Sequence, residues 1–217
     1  MSDKNILVVL SGCGLYDGAE IHESVITLLA IARAGASYTI AAPDKDQMHV
    51  INHATGDVSG ETRNVMVEAA RIARGSITAL SEVNAADHDA VFLPGGFGAA
   101  KNLCTFATEG PDCSIDPDIQ RVLQEFHAAG KPIGAVCIAP AVVVKALGDV
   151  TVTIGSDAGT AGALAAMGGK HADHAVTECH VDADNRVVTA PAYMCDTSID
   201  QVAVGIEAAV NGVIGLI

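Results

Sequence analysis

Apolar runs alternate with helix-like segments from one end of this chain to the other, and that alternation restricts the fold more than any other feature. Strands are expected at 6–10, 38–42, 90–93, 133–136, 150–154, 175–181 and 186–190, and helices at 21–34, 64–74, 117–129, 139–147 and 198–211. Gly35, Gly75 and Gly130 follow three of the helices, where a left-handed residue closes the last turn. The strands are apolar throughout, so both of their faces must be covered. A mostly parallel sheet with helices on either side satisfies that demand. A single α/β domain spanning 1–217 is expected, with no linker or repeat. The chain is half hydrophobic but only 3% aromatic, so Ala, Val, Ile and Leu must fill the core while 22 glycines let backbones approach. Ligands of such sheets bind beyond the carboxyl ends of the strands, which directs attention to the residues after 10, 93 and 136.

Charge narrows the partners. Twenty-six acids against 12 bases give a formal charge of −14. Nothing here would neutralise phosphates or stack bases, so a nucleic-acid partner is excluded, as is a polybasic membrane patch. The apolar run at 6–10 is too short for a signal-peptide core, and no stretch is read as reaching membrane-span length. The expected location is the cytoplasm. Six cysteines occur without a CxxC pair, so free thiols are expected, and any special one must stand out by context.

Several segments invite a chemical reading. The first strand runs into Ser11-Gly12-Cys13-Gly14-Leu15-Tyr16-Asp17-Gly18, close to a dinucleotide fingerprint, and Asp44 after the second strand can imitate the ribose acid. The third glycine comes one residue late, which favours a tight turn. Glu20 and Glu23 fall in the first turn of the helix at 21–34, where acids complement the dipole. Capping accounts for Glu20, whereas Glu23 shares a side with Ala30 and Ala34 and can point inward. Pro94-Gly95-Gly96 at a strand end offers bare N–H groups to an oxyanion, or simply a turn. Cys137 sits at a strand-to-helix bend, where a side chain projects into a site and the helix N-terminus favours a thiolate. Its bland alternative is a small buried hydrophobe. His171, His174, Cys179 and His180 form the one metal-like cluster, but the uneven spacing suits surface loop histidines better. Cys13 is a candidate neighbour of Cys137.

Taken together, these segments resemble a known group. Gly-Ala-Glu-x-x-Glu, Leu-Pro-Gly-Gly and Gly-x-x-Cys-x-Ala-Pro, in that order, resemble the superfamily of PfpI-like proteases and the Parkinson-associated protein deglycase. Residues 11–14, 51–53, 61–64, 94–102, 137–140 and 189–194 look more narrowly like the ElbB branch, named for enhanced lycopene biosynthesis and described as glyoxalase-like. The resemblance implies a flavodoxin-like three-layer sandwich of the class I glutamine amidotransferase type, and a homodimer. It implies Cys137 as nucleophile, Glu23 as the acid hydrogen-bonded to its sulfur, and the N–H groups of Gly96 and Ile138 as an oxyanion hole.

One departure shapes the expected chemistry. Family proteases and amidotransferases keep a histidine near the cysteine, whereas Cys137 is followed by Ile138, and Gly155-Ser156-Asp157 stands where the deglycase has its histidine. Peptide or glutamine hydrolysis is therefore not expected. The expected activity is a glutathione-independent glyoxalase acting on a small dicarbonyl, with neither cofactor nor metal. The alternative is a non-catalytic redox or stress-response protein that signals through an oxidisable, low-pKa Cys137.

Overall fold

The computed structural model describes residues 4–217; residues 1–3, the start of the stretch searched for a signal core, lie outside it. In chain order the elements are β1 (Asn5–Val9), α1 (Ile21–Arg33), β2 (Ser37–Ala42), α2 (Val65–Ile72), β3 (Thr78–Ala79), β4 (Ala90–Leu93), α3 (Phe106–Glu109), α4 (Pro117–Ala128), β5 (Ile133–Val136), α5 (Pro140–Leu147), β6 (Thr151–Val152), α6 (Ala158–Ala166), β7 (Lys170–His171), β8 (His180–Asp182), β9 (Val187–Ala190) and α7 (Ile199–Leu216). A seven-stranded sheet runs β3-β2-β1-β4-β5-β9-β8, parallel except for β8 against β9.

The helices start and stop where local chemistry requires. Asn64 caps α2 by accepting from the N–H of Val67, and Asp116 caps α4, with Pro117 as its first residue. Gly35 follows α1 at a φ of 78°, a conformation that glycine adopts without strain. Helices α1, α2 and α7 cover one face of the sheet and α4 and α5 the other, giving two apolar clusters. Phe92 and Phe126 are the largest fully buried side chains. Gly134 of β5 leaves room for the Phe92 ring, which any Cβ there would strike. Burying one large apolar side chain stabilises by roughly 1.5–3 kcal/mol, so a core this poor in rings depends on many small, close contacts.

Three expectations change. The strand expected at 150–154 shrinks to β6, which pairs with β7 in a separate two-stranded sheet, so it does not extend the main one. Of the strand expected at 175–181, only its end forms β8, because 176–177 make a turn. The closing helix runs on to Leu216 and does reach membrane-span length, with a mean hydropathy of 1.4 over 18 residues. Its residues Val202, Ile206, Ala209 and Val213 are buried in the cluster that covers β5 and β9, as befits a core helix.

Candidate active site

Strands β1, β4, β5 and β9 lie side by side and in register, with Leu93 opposite Ala135 and Val136 opposite Ala190. Their carboxyl ends therefore release four loops into one place: 11–18, 94–98, 137–139 and 191–194. The chain turns sharply at Cys137, whose φ is 61°, a strained value for a residue with a Cβ. The bend is held by its own backbone, since the Cys137 N–H donates to the carbonyl of Ala190 (3.0 Å) and the Ala139 N–H to that of Val136 (3.0 Å).

Glu20 and Glu23 divide their work. Glu20 caps α1 by accepting from the N–H of Glu23 (2.7 Å), while its own N–H donates to the carbonyl of Gly95 (2.9 Å). Glu23 points inward and is completely buried. One carboxylate oxygen accepts from the Gly95 N–H (2.9 Å), the other from the Tyr193 N–H (3.2 Å), and the Cys137 side chain lies beside the same carboxylate against Gly95. The backbone N–H groups of Gly96 and Ile138 stand near enough to the Cys137 sulfur to favour its charged form. Cys137, Glu23, Gly96 and Ile138 thus come together.

Glycine is obligatory at two points of this arrangement. A Cβ on Gly95 would collide with Cys137 and the Glu23 carboxylate, and one on Gly96, at a φ of 92°, would meet the backbone of 18–20. Gly18 itself packs its Cα against Cys13 and Gly98. Gly12 and Gly14, at φ of 116° and 142°, make the turn that the broken fingerprint spacing suggested, and Gly18 adds the close approach of two loops. Asp44 is bound to Asn64 (2.7 Å). Asn102, almost wholly buried, fastens the loops by donating to the carbonyls of Ser11 (2.8 Å) and Asp17 (2.9 Å) and accepting from the Met48 N–H (2.9 Å). It lies in a π-helical turn at Ala99–Leu103, a distortion frequent beside functional sites.

Burial sets the electrostatics. Desolvation raises the pKa of Glu23 to about 7, against the weaker downward pull of its N–H donors. Burial, and then the Glu23 charge beside it, push the Cys137 thiol well above its ordinary value, although the N–H groups of Gly96 and Ile138 pull the other way. The expectation of a low-pKa thiolate is therefore reversed. The thiol holds its proton more tightly than an exposed cysteine does, beside a carboxylate.

Two side chains that sequence reasoning passed over complete the rim. Tyr193, which lines the cavity over Cys137, hydrogen-bonds through its hydroxyl to Nδ1 of His22 (2.9 Å). Both stand in segments already singled out by motif, but the 171 positions between them conceal the pairing. No histidine takes the place of Gly155, which sits at a φ of 88° against Cys195, and Asp157 is occupied in capping α6. Cys13 and Cys137 are both free thiols, and burial raises the Cys13 pKa, with Glu68, Arg71 and Asp17 as its charged neighbours. His174 and His180 face each other (3.2 Å), and among the described residues no group of three or more His, Cys, Asp or Glu is arranged to hold a metal.

Known proteins bear on this arrangement. A profile of the DJ-1/PfpI family matches residues 8–200. The human protein named glutamine amidotransferase-like class 1 domain-containing protein 3, mitochondrial, is 52% identical over 97% of this chain and 82% of its own length. A rat relative, the mitochondrial ES1 protein homolog, is also 52% identical over 97% of this chain and 83% of its own. An isoprenoid biosynthesis protein with an amidotransferase-like domain from Ehrlichia chaffeensis is 38% identical, covers 98% of this chain and 99% of its own, and superposes with a TM-score of 0.92. Glyoxalase III from Candida albicans shares the fold at 13% identity (TM-score 0.63, covering 98% of this chain and 97% of its own). The two mammalian relatives are mitochondrial, which overturns the expected cytoplasmic location.

Proposed function

The chain belongs to the DJ-1/PfpI family, and from that premise we propose that it is a cofactor-independent glyoxalase of the ElbB type, converting glyoxal or methylglyoxal to a 2-hydroxy acid. The observation that carries this reading is the buried Cys137–Glu23 pair, a thiol held against a carboxylate whose pKa is about 7. A group poised near neutrality can both take and return a proton.

In the first step Glu23 accepts the thiol proton as sulfur attacks the aldehyde carbon. The new C–S bond gives an oxyanion facing the N–H groups of Gly96 and Ile138, and Glu23 returns the proton to it. The resulting hemithioacetal has one proton left on the carbon bearing sulfur. Glu23 removes it to give an enediolate and delivers it to the neighbouring carbon, while the hydroxyl proton of the first carbon passes to the oxygen of the second. The first carbon is oxidised by two electrons and the second reduced by two, so the product is a 2-hydroxy thioester of Cys137. Water then cleaves the C–S bond, restoring the thiol and releasing the acid. Electrons move only within the substrate, so the sequence needs no redox partner. Redox sensing would need a low-pKa thiol, and the raised pKa of Cys137 takes support from it.

A homodimer belongs to the same reading. Ile21, Val25 and Leu29 form an exposed apolar stripe along α1 at four-residue spacing, which a second copy would cover. Light scattering at micromolar concentration tests it.

The catalytic claim is tested in D2O. Exchange of the proton on Glu23 with solvent during the life of the enediolate intermediate puts deuterium on the hydroxyl-bearing carbon of lactate made from methylglyoxal, which a direct hydride shift cannot do. Complete retention of protium together with undiminished turnover by Glu23→Gln removes Glu23 from its role.

A further inference from the structure

The cavity above Cys137 is larger and more apolar than glyoxal requires. It encloses about 440 Å3, room for roughly fifteen waters at ~30 Å3 each. Methylglyoxal would occupy about a third of that space by the same measure. The walls are made by Leu15, Phe97, Ile138, Tyr193 and Met194 from the four loops that the sheet brings together, and by Phe106 from α3. Leu15 and Phe97 keep 36% and 47% of their surface exposed at the mouth, in a protein with only seven aromatic residues apart from histidine. Among the described residues, no Lys, Arg, His, Asp or Glu side chain lines the space. The Tyr193 hydroxyl is already engaged by His22, which leaves its ring as a wall.

We propose that the substrates this site is built for are α-oxoaldehydes carrying an aryl or medium-chain alkyl substituent, with the dicarbonyl on Cys137 and the substituent packed between Phe97, Phe106 and Met194. This rests on the glyoxalase reading and deepens it. A phosphate, ammonium or second carboxylate on the substrate would enter a cavity with no counter-charge and lose its hydration. An apolar substituent instead displaces poorly bound water and covers side chains that are otherwise left open. The reaction is unchanged: R–CO–CHO plus water gives R–CHOH–COOH.

The test is kcat/KM for methyl-, propyl-, pentyl- and phenylglyoxal, with calorimetric binding of acetone and acetophenone to Cys137→Ala as a readout that needs no turnover. We expect kcat/KM to climb by up to roughly fourfold per buried methylene, and phenylglyoxal to exceed methylglyoxal by at least about tenfold. Acetophenone should bind at least about tenfold more tightly than acetone. Phe97→Ala should reduce the ratio of phenylglyoxal to methylglyoxal. A flat or falling series overturns the proposal and leaves glyoxalase activity standing. If none of the four turns over, the glyoxalase reading falls, and the ketone pair decides alone whether the cavity prefers an apolar occupant. Equal binding of the two ketones then overturns the proposal.

Discussion

Two regions of this molecule gather the side chains from which active sites are made, and they differ in what surrounds them. At the carboxyl ends of β4 and β5, Cys137 and Glu23 are buried, strained or pinned by backbone N–H groups, and enclosed by glycines that admit no side chain. Around β7 and β8, His171, His174, Cys179 and His180 are half-buried and in part satisfied by one another and by Glu178. Residue type alone favours the second cluster, which is richer in ligands. Burial and backbone constraint favour the first, because a desolvated carboxylate beside a thiol has its proton affinity moved into the working range.

Substitutions should separate the two regions widely. Cys137→Ala and Glu23→Ala are each expected to reduce α-oxoaldehyde turnover by at least about 10³-fold. His174→Ala and His180→Ala should remain within about twofold of the parent protein. Comparable losses at the histidines would erase the distinction.

Glycine offers a second contrast. Gly95→Ala forces a methyl group into Cys137 and Glu23 and should lower melting stability by about 1–3 kcal/mol and activity by about 10²-fold. Gly162→Ala, in α6 with nothing near its Cβ, should raise stability by about 0.5–1 kcal/mol. Denaturant unfolding measures both, and a silent Gly95→Ala would mean that the loop is looser than its contacts imply.

A third difference lies in pH. Glu23 binds its proton more tightly folded, at about 7, than unfolded, at 4.5. Its contribution to stability is complete below pH 4.5 and is lost as pH rises towards 7, a decline of about 3 kcal/mol. Glu23→Gln should remove that slope, as read from unfolding curves between pH 4 and 8. Activity should run the other way, since proton abstraction needs the carboxylate, and kcat/KM should rise with pH through about 7.

The smallest effect belongs to the outlying cluster. Adding zinc at tenfold excess should shift the melting temperature by less than about 1 °C, because a site without a complete ligand set adds little by linkage.

Much of this architecture is written locally. The strands β4 and β5 are legible to the residue because each is a short apolar run bounded by a turn signal, and α1 is legible through its periodicity and Gly35. Glu23 separates from Glu20 by the same periodicity. Helix α6 was not foreseen, since Ala-Gly-Thr-Ala-Gly-Ala is a poor helix former that needs Asp157 as a cap. The contacts between β6 and β7, between His22 and Tyr193, and between Asn102 and the loops at 11–18 depend on segments remote in sequence, and no local pattern announces them. The high pKa of Cys137 was misread for a related reason. A helix N-terminus is visible in sequence, but burial against a carboxylate is a tertiary property, and it is what pushes the thiol up.

The central claim is that the buried pair, rather than any surface thiol or imidazole, performs the chemistry. The most direct measurement follows the products of methylglyoxal by proton NMR with purified protein and no added thiol or metal, comparing the parent chain with Cys137→Ala. Stoichiometric lactate from the parent and none above background from Cys137→Ala is the expected result. Lactate from Cys137→Ala at the parent's rate would contradict the account.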